Sequence, residues 1–200
     1  MTELMVSGIK PSPSFARREF APVEFVPCPP GGTPFGDGSF DVVVSTVVIP
    51  HPMAWGDLGL SADQRRAHIA WDPGALGLAR GLARRLDAAL IHAPVSRLVY
   101  DCNRAPDMAG AMPAKSEVHE VPGNAAISAA ERLARTESIY LPFHDGLHAL
   151  LMQRVALGLR PVVVTIHSFT PVYFGKPRSV EFGVIHDADP ALAVAIRTGA

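Results

Sequence analysis

The sequence predicts an α/β fold with a mostly parallel or mixed sheet and helices on both faces. Strand-like apolar runs alternate with helix-like patterns along the chain, as α/β proteins require. The run FDVVVSTVVI at residues 40–49 is apolar at almost every position, which indicates a strand buried on both faces, as in a parallel sheet. A hydrophobic share of 48 % over 200 residues is enough for one core.

The first 39 residues differ from the rest because proline and glycine interrupt them throughout. Proline removes backbone donors and glycine loosens the backbone. We therefore predict an irregular lead-in over residues 1–39, with one short strand at 22–26. Residues 40–200 are predicted to form a single α/β domain.

Two helix starts are visible after the strand at 40–49. Ser61 with Gln64 has the spacing of a capping box, which predicts a helix over 62–68. Asp72 followed by Pro73 has the pattern of an N-cap residue with proline at the first helical position.

The remaining elements follow from apolar runs, proline breaks and capping residues. Ser128 with Glu131 predicts a second capping box, and Pro142 is expected to break or restart the helix that it opens. The predicted elements are strands at 89–93 and 97–101, a long loop at 104–127, helices at 128–140 and 142–158, strands at 161–167 and 180–185, and a terminal helix at 189–197.

Charge and composition exclude several classes of protein. Lysine and arginine number 18 and aspartate and glutamate 19, a net charge of −1, so binding of nucleic acid by phosphate neutralisation is not expected. No apolar stretch of about 18 residues predicts a membrane span. The two cysteines form no disulfide framework and the first residues do not resemble a signal peptide, so we expect a cytoplasmic protein.

Three common catalytic motifs are missing from the sequence. It contains no GxSxG, no GxxxxGK[ST] and no GxGxxG. This argues against α/β-hydrolase chemistry, phosphoryl transfer on a P-loop and hydride transfer with a dinucleotide.

The carboxyl ends of the predicted strands carry the candidate site residues, because ligands of open α/β sheets bind there. His167 ends the run PVVVTIH and is either a metal ligand or a buried histidine bonded to nearby backbone. Arg97 begins the predicted strand at 97–101, Asp101 ends it, and Asn103 and Arg104 follow. The arginines would bind a substrate carboxylate, or Arg97 and Asp101 would form an internal pair; spacing leaves both readings open.

Two further histidine groups are weaker candidates. His144 and His148 in HDGLH would share one helix face, but Asp145 replaces the glutamate of a zincin motif, so a partly exposed pair is the simpler reading. His51 in IPHP lies in a loop between two prolines.

Several segments together resemble the N-formylglutamate amidohydrolase family. They are GDLGLSADQRRAHIAWDPGALGLARGLARRLDAALI, SRLVYDCNRAP, LPFH and IHSFTPVYFGKPRSVEFGV, which span roughly residues 56–190. The resemblance implies a fold similar to zinc carboxypeptidases (phosphorylase/hydrolase-like), zinc as the cofactor, and hydrolysis of a small acidic N-acyl amino acid. It implies that His167 is a zinc ligand, that Arg97, Asn103 and Arg104 bind substrate, and that Asp72, Asp101 and His144 lie near the pocket.

The sequence departs from that family in two places. The family follows its first strand with a Cys-Glu-His motif that supplies metal ligands, and gapless alignment places Val44, Ser45 and Thr46 there. Neither hydroxyl side chain is a usual zinc ligand. The family also has a carboxylate near its C-terminus, whereas this sequence stops at Ala200, so a C-terminally truncated domain is expected. A rival alignment uses His51 as the motif histidine and leaves the acidic ligand unassigned.

A shifted reading frame would explain the first departure. Val44–Pro50 can be encoded as GTG AGC ACG GTG GTA ATA CCA. With a T in front and read one base earlier, this string encodes Cys-Glu-His-Gly-Gly-Asn-Thr, in the register of the gapless alignment. The hypothesis places residues of about 44 to 55 in a shifted frame, and the coding DNA tests it.

These observations leave two principal functions open. The chain is either a zinc-dependent amidohydrolase homologue acting on an N-formyl amino acid, or a non-catalytic homologue that binds an acidic metabolite or a protein partner. Because one imidazole does not hold zinc tightly, we expect this chain to bind zinc weakly and to hydrolyse little or no substrate.

Overall fold

A three-stranded parallel sheet forms the centre of the fold, as the sequence predicts. The structure is a computed structural model that describes residues 42–45, 55–93, 95–186, 188 and 190–198. The strand order is β2-β1-β5, with every neighbour parallel. The strands are β1 (Val42–Ser45), β2 (Ala89–His92) and β5 (Val163–Thr165).

One face of the sheet packs against a single long helix, α2 (Ala75–Leu86). Val43 of β1 is paired with Leu90 of β2, and both side chains contact this helix. The fully buried side chains of α2 are alanines, of which Ala79 has no exposed surface, and partly buried leucines of the helix pack beside them. Small side chains let the helix lie close to the sheet, while its arginines face solvent.

The opposite face of the sheet packs against the second half of the chain. Val44 and its partner Ile91 share a core cluster with Leu98, Ile139 and Phe143. Because successive strand residues alternate between faces, the all-apolar sequence of β1 fills both clusters. The prediction of helices on both faces is therefore confirmed.

The helix positions agree with most of the sequence signals. The capping box of Ser61 and Gln64 is present, and the side chain of Ser128 caps its helix as well. Pro142 restarts the helix, as one of the two expected outcomes: the five residues Thr136–Tyr140 form a short π-helix, and α5 begins directly after it with Pro142 in its first turn. The other helices are α1 (Ala62–Arg66), α3 (Pro122–Ala125), α4 (Ala129–Arg135), α5 (Leu141–Ala156) and α6 (Ala191–Thr198).

Two short hairpins lie outside the central sheet. The predicted loop at 104–127 contains one of them, together with a 3₁₀ turn and α3. The second hairpin follows β5 in the chain. The strands are β3 (Lys115–Ser116) with β4 (His119–Glu120), and β6 (Val172–Tyr173) with β7 (Lys176–Pro177).

The predicted strand at 97–101 is wrong. The carbonyl of Ser96 accepts the N–H groups of Val99 and Tyr100, and the hydroxyl of Ser96 accepts the N–H of Leu98 at 3.1 Å. These bonds fold the segment into a turn. Its apolar side chains are buried against the sheet, so the apolar run reflected burial and not strand pairing.

Two other local predictions are also corrected. Asp72 is not an N-cap residue: Gly74, with φ of 83°, precedes the first residue of α2, and the carboxylate of Asp72 is used elsewhere. The predicted strand at 180–185 is absent from the described residues, where Phe182 and Ile185 are largely exposed. Without a neighbouring strand or a covering helix, an apolar run has nothing to pair with.

Several predictions lie outside the described residues: the lead-in at 1–39 with its strand at 22–26, the second half of the run at 40–49, and His51. Within the described residues, no helix has the length and apolarity needed to cross a membrane.

Candidate functional site

A cluster of polar side chains meets beyond the carboxyl end of β5, where the sequence predicted a site. His167 lies two residues after the strand. Asp72 comes from the turn before α2, and Arg97 and Asn103 come from the turn segment after β2. Four side chains from three parts of the chain are thereby connected by hydrogen bonds.

Asp72 is the centre of this cluster. Its side chain is 2 % exposed, and its two oxygens accept hydrogen bonds from different partners. The guanidinium Nη2 of Arg97 donates to Oδ1, and Nδ1 of His167 donates to Oδ2 at 2.8 Å. A buried carboxylate needs such partners, because an unpaired buried charge costs several kcal/mol.

The second ring nitrogen of His167 points away from Asp72. Nε2 lies 3.2 Å from the amide nitrogen of Asn103, which donates to it when the proton is on Nδ1. A carboxylate bonded to one imidazole nitrogen, with the other nitrogen on the open side, is how metal-binding histidines are usually oriented. The geometry therefore prepares Nε2 as an acceptor or ligand.

The burial of His167 and the nearby charge of Arg97 favour the neutral imidazole. Burial lowers the pKa of His167, and the positive charge of Arg97 lowers this pKa further, while Asp101 raises it. The unfolded chain therefore binds this proton at a higher pH than the folded chain. As pH falls through the ordinary value of 6.5, this group lowers the free energy of unfolding.

We expect an NMR titration of the His167 ring to give a pKa below 6.5, its ordinary value. The substitution Arg97→Met should raise that pKa, because it removes a nearby positive charge. Arg84→Met, on the exposed side of α2, serves as the control and should leave the titration unchanged. A pKa of His167 above 6.5 in the unsubstituted chain would contradict this prediction and show that the carboxylate of Asp72 outweighs burial and the charge of Arg97.

The two predicted substrate arginines both have carboxylate neighbours. Arg97 is paired with Asp72, so the internal arginine–aspartate pair exists but with a different partner from the Asp101 considered above. Arg104 is more exposed, and its Nε lies 3.8 Å from Oδ2 of Asp101. The other oxygen of Asp101 accepts the backbone N–H of Asn103 at 2.9 Å and so shapes the turn.

His144 supports the turn that carries Asn103. Its Nε2 lies 2.9 Å from the carbonyl oxygen of Cys102, and its ring stacks on Tyr140 with centroids 4.1 Å apart. Because that carbonyl is an acceptor, Nε2 carries the proton. His148 is exposed on α5. His144 thus lies beside the cluster and bonds to backbone, whereas the cluster's own histidine is His167.

The described residues do not fit a zinc ion. No group of three or more histidine, cysteine, aspartate or glutamate side chains among them could hold a metal. Ser45 ends the central strand β1, in register with His92 of β2, and β5 lies on the other side. The position that the resemblance gives to a glutamate is therefore at the correct edge of the sheet, but serine occupies it.

Sequence reasoning missed two residues that hold the site's turn segment in place. Arg135 is completely buried, and its Nη1 donates to the Asn124 side chain at 2.8 Å and to the carbonyl of Val99 at 3.2 Å. Asn124 in turn donates to the carbonyl of Leu98 at 2.7 Å. A single arginine in a helical pattern gives no sequence signal for burial, since most arginines are exposed.

A parallel sheet packed between helices defines an α/β protein, and the polar cluster lies beyond the carboxyl edge, where open sheets of this class usually bind ligands. A family model described as N-formylglutamate amidohydrolase matches residues 45–200. The chain belongs to the N-formylglutamate amidohydrolase family.

A solved structure supports the same assignment. The chain is 49 % identical to gene product Atu2144 from Agrobacterium tumefaciens, whose crystal structure it matches with a TM-score of 0.75 over 81 % of this chain. The match spans 64 % of that relative's length. No curated protein matches the chain.

Proposed function

We propose that this chain binds a small acidic N-acyl amino acid, such as N-formylglutamate, at the Asp72–His167 cluster, and that cleavage of the N-formyl amide bond is the chemistry for which the site is built. The observation that supports this most directly is the bonded chain from Arg97 through Asp72 to His167. It holds one imidazole nitrogen at the crevice in a defined tautomer.

The residues beside His167 suit an acidic ligand. The amide of Asn103 and the guanidinium of Arg104 are donors on the same exposed turn. A carboxylate bound by these two groups would place the adjacent amide near Nε2 of His167. Such orientation of a reacting group contributes several kcal/mol to catalysis. Arg97 acts through Asp72 and does not itself reach the ligand.

Zinc is the cofactor that the resemblance implies, and it would polarise the formyl carbonyl when bound. Among the described residues, His167 is the ligand that the cluster provides. We therefore propose that the chain as it stands holds zinc weakly and hydrolyses little N-formylglutamate.

The purified chain tests this proposal in two measurements. Calorimetry with N-formyl-L-glutamate should show binding, and the substitution Asn103→Ala should weaken it about tenfold, because a hydrogen bond to a charged group contributes about 1.5–3 kcal/mol. Formate release with added zinc should stay near the uncatalysed rate. Near-stoichiometric zinc together with rapid formate release would show that the chain completes its metal site with other residues.

The second candidate function is non-catalytic binding of an acidic metabolite. The serine at position 45 favours it. The hydrogen-bond donors of the turn are present, but a serine stands where the resemblance implies a metal ligand. The double substitution Ser45→Glu and Thr46→His restores the metal ligands that the resemblance implies. If this variant still binds the ligand but releases no formate, the result would support non-catalytic binding over a damaged enzyme.

A further inference from the structure

Arg178 is an exposed arginine that directly follows the hairpin of β6 and β7. Its guanidinium carbon lies 4.5 Å from the ring centre of Tyr173 and 5.4 Å from that of Phe169. Among the described residues, no carboxylate is within ion-pair distance of it. Stacking on two rings limits the motion of the side chain while its N–H groups remain able to bind an anion.

The hairpin of β6 and β7 holds Arg178 in place. Phe174 and Gly175 connect the two strands with φ angles of 48° and 73°, the backbone of a tight two-residue turn. The N–H of Arg178 donates to the carbonyl of Pro171 at 2.8 Å, which closes the base of the hairpin. The guanidinium is therefore presented by a defined backbone and not by a long free loop.

Arg178 is linked to His167 through Phe169. Phe169, one of the two residues on whose rings Arg178 stacks, follows His167 by two residues. The Cα atoms of Phe169 and His167 are therefore at most about 7 Å apart. By contrast, Arg97 is neutralised by Asp72, and Arg104 lies near Asp101. Arg178 thus has the least compensated positive charge of these three arginines.

We propose that Arg178, stacked on Tyr173 and Phe169, determines specificity by binding the side-chain carboxylate of the ligand. This assignment rests on the proposed function and adds to it the group that distinguishes an acidic N-formyl amino acid from a neutral one. Asn103 and Arg104 take the α-carboxylate, and Arg178 takes the second. The planar guanidinium suits a carboxylate because it donates two parallel hydrogen bonds.

Calorimetry with two ligands of the same shape tests the assignment: N-formyl-L-glutamate and N-formyl-L-glutamine. The unsubstituted chain should bind the acidic ligand more tightly. Arg178→Met should weaken binding of N-formylglutamate about 10- to 100-fold and change binding of N-formylglutamine much less. Arg178→Lys keeps the charge but loses the planar donor pair, so its loss should be intermediate.

The matched control is Arg84→Met, which removes an exposed arginine from the outer side of α2 and should bind both ligands as the unsubstituted chain does. If Arg178→Met binds N-formylglutamate as tightly as the unsubstituted chain does, the role of Arg178 is overturned while the proposed function stands. A chain that binds neither ligand overturns the proposed function and this inference with it. Circular dichroism of each variant establishes that it is folded.

Discussion

The double substitution Ser45→Glu and Thr46→His should raise the zinc affinity of the chain by three orders of magnitude or more. Position 45 is the last residue of β1, the strand adjacent to the one that leads to His167, and position 46 is next in the sequence. Complete sets of zinc ligands bind with about 10–16 kcal/mol, so two added ligands account for a large part of such a site. Zinc content after dialysis and formate release from N-formylglutamate measure the effect.

Two further substitutions in the double variant show whether the new ligands act with His167. His167→Ala should abolish the gain in zinc affinity, because it removes the third ligand. His148→Ala, on the exposed side of α5, should leave the gain intact. The reverse pattern, with loss at His148 and none at His167, would place the metal at the HDGLH pair and reject the site described above.

The substitution Arg135→Met should destabilise the fold by about 2–4 kcal/mol, because it leaves the side-chain oxygen of Asn124 and the carbonyl of Val99 without a buried donor. Arg135 has no exposed surface, so water cannot replace these bonds without local opening. The ion pair with Glu131 is half-exposed and contributes less. Urea denaturation of the variant measures the free energy of unfolding.

Arg85→Met provides the comparison, since it removes an exposed arginine and should change the free energy of unfolding by less than about 0.5 kcal/mol. The Arg135 variant should also lose ligand affinity, because Arg135 holds the segment that continues into Asn103. A destabilisation below about 1 kcal/mol would show that the buried network is not what fixes this turn.

Secondary structure was predicted correctly where a short sequence pattern has only one structural explanation. The buried run of β1, the capping box at Ser61 and the N-cap at Ser128 depend on residues close together in sequence, and the structure contains all three. The second predicted capping box is only half formed, because the side chain of Glu131 pairs with Arg135. The run at 97–101 misled because burial, and not strand pairing, explains its apolarity. A strand forms only beside a neighbouring strand, and the local sequence does not identify that neighbour.

The meeting of His167 and Asn103 follows from a general rule, because both come after predicted strands and parallel strands direct their carboxyl ends to one side. The hydrogen bonds of Asp72 with Arg97 and His167 do not follow from any such rule. The local pattern assigns Asp72 to a helix cap and only the family resemblance places it near the pocket, since no local pattern distinguishes a capping carboxylate from one that binds groups 25 and 95 residues away.

The sequence by itself determined the fold class, the family and the departure at positions 45 and 46, because these depend on residue type and order. Only the tertiary structure decided which arginine is paired, which is stacked on aromatic rings, and which is buried. Those outcomes depend on distances between residues far apart in the chain. The guanidinium group of an arginine can form an ion pair, a cation–π contact or a buried hydrogen-bond network. Which of these an arginine forms depends on its neighbours in space.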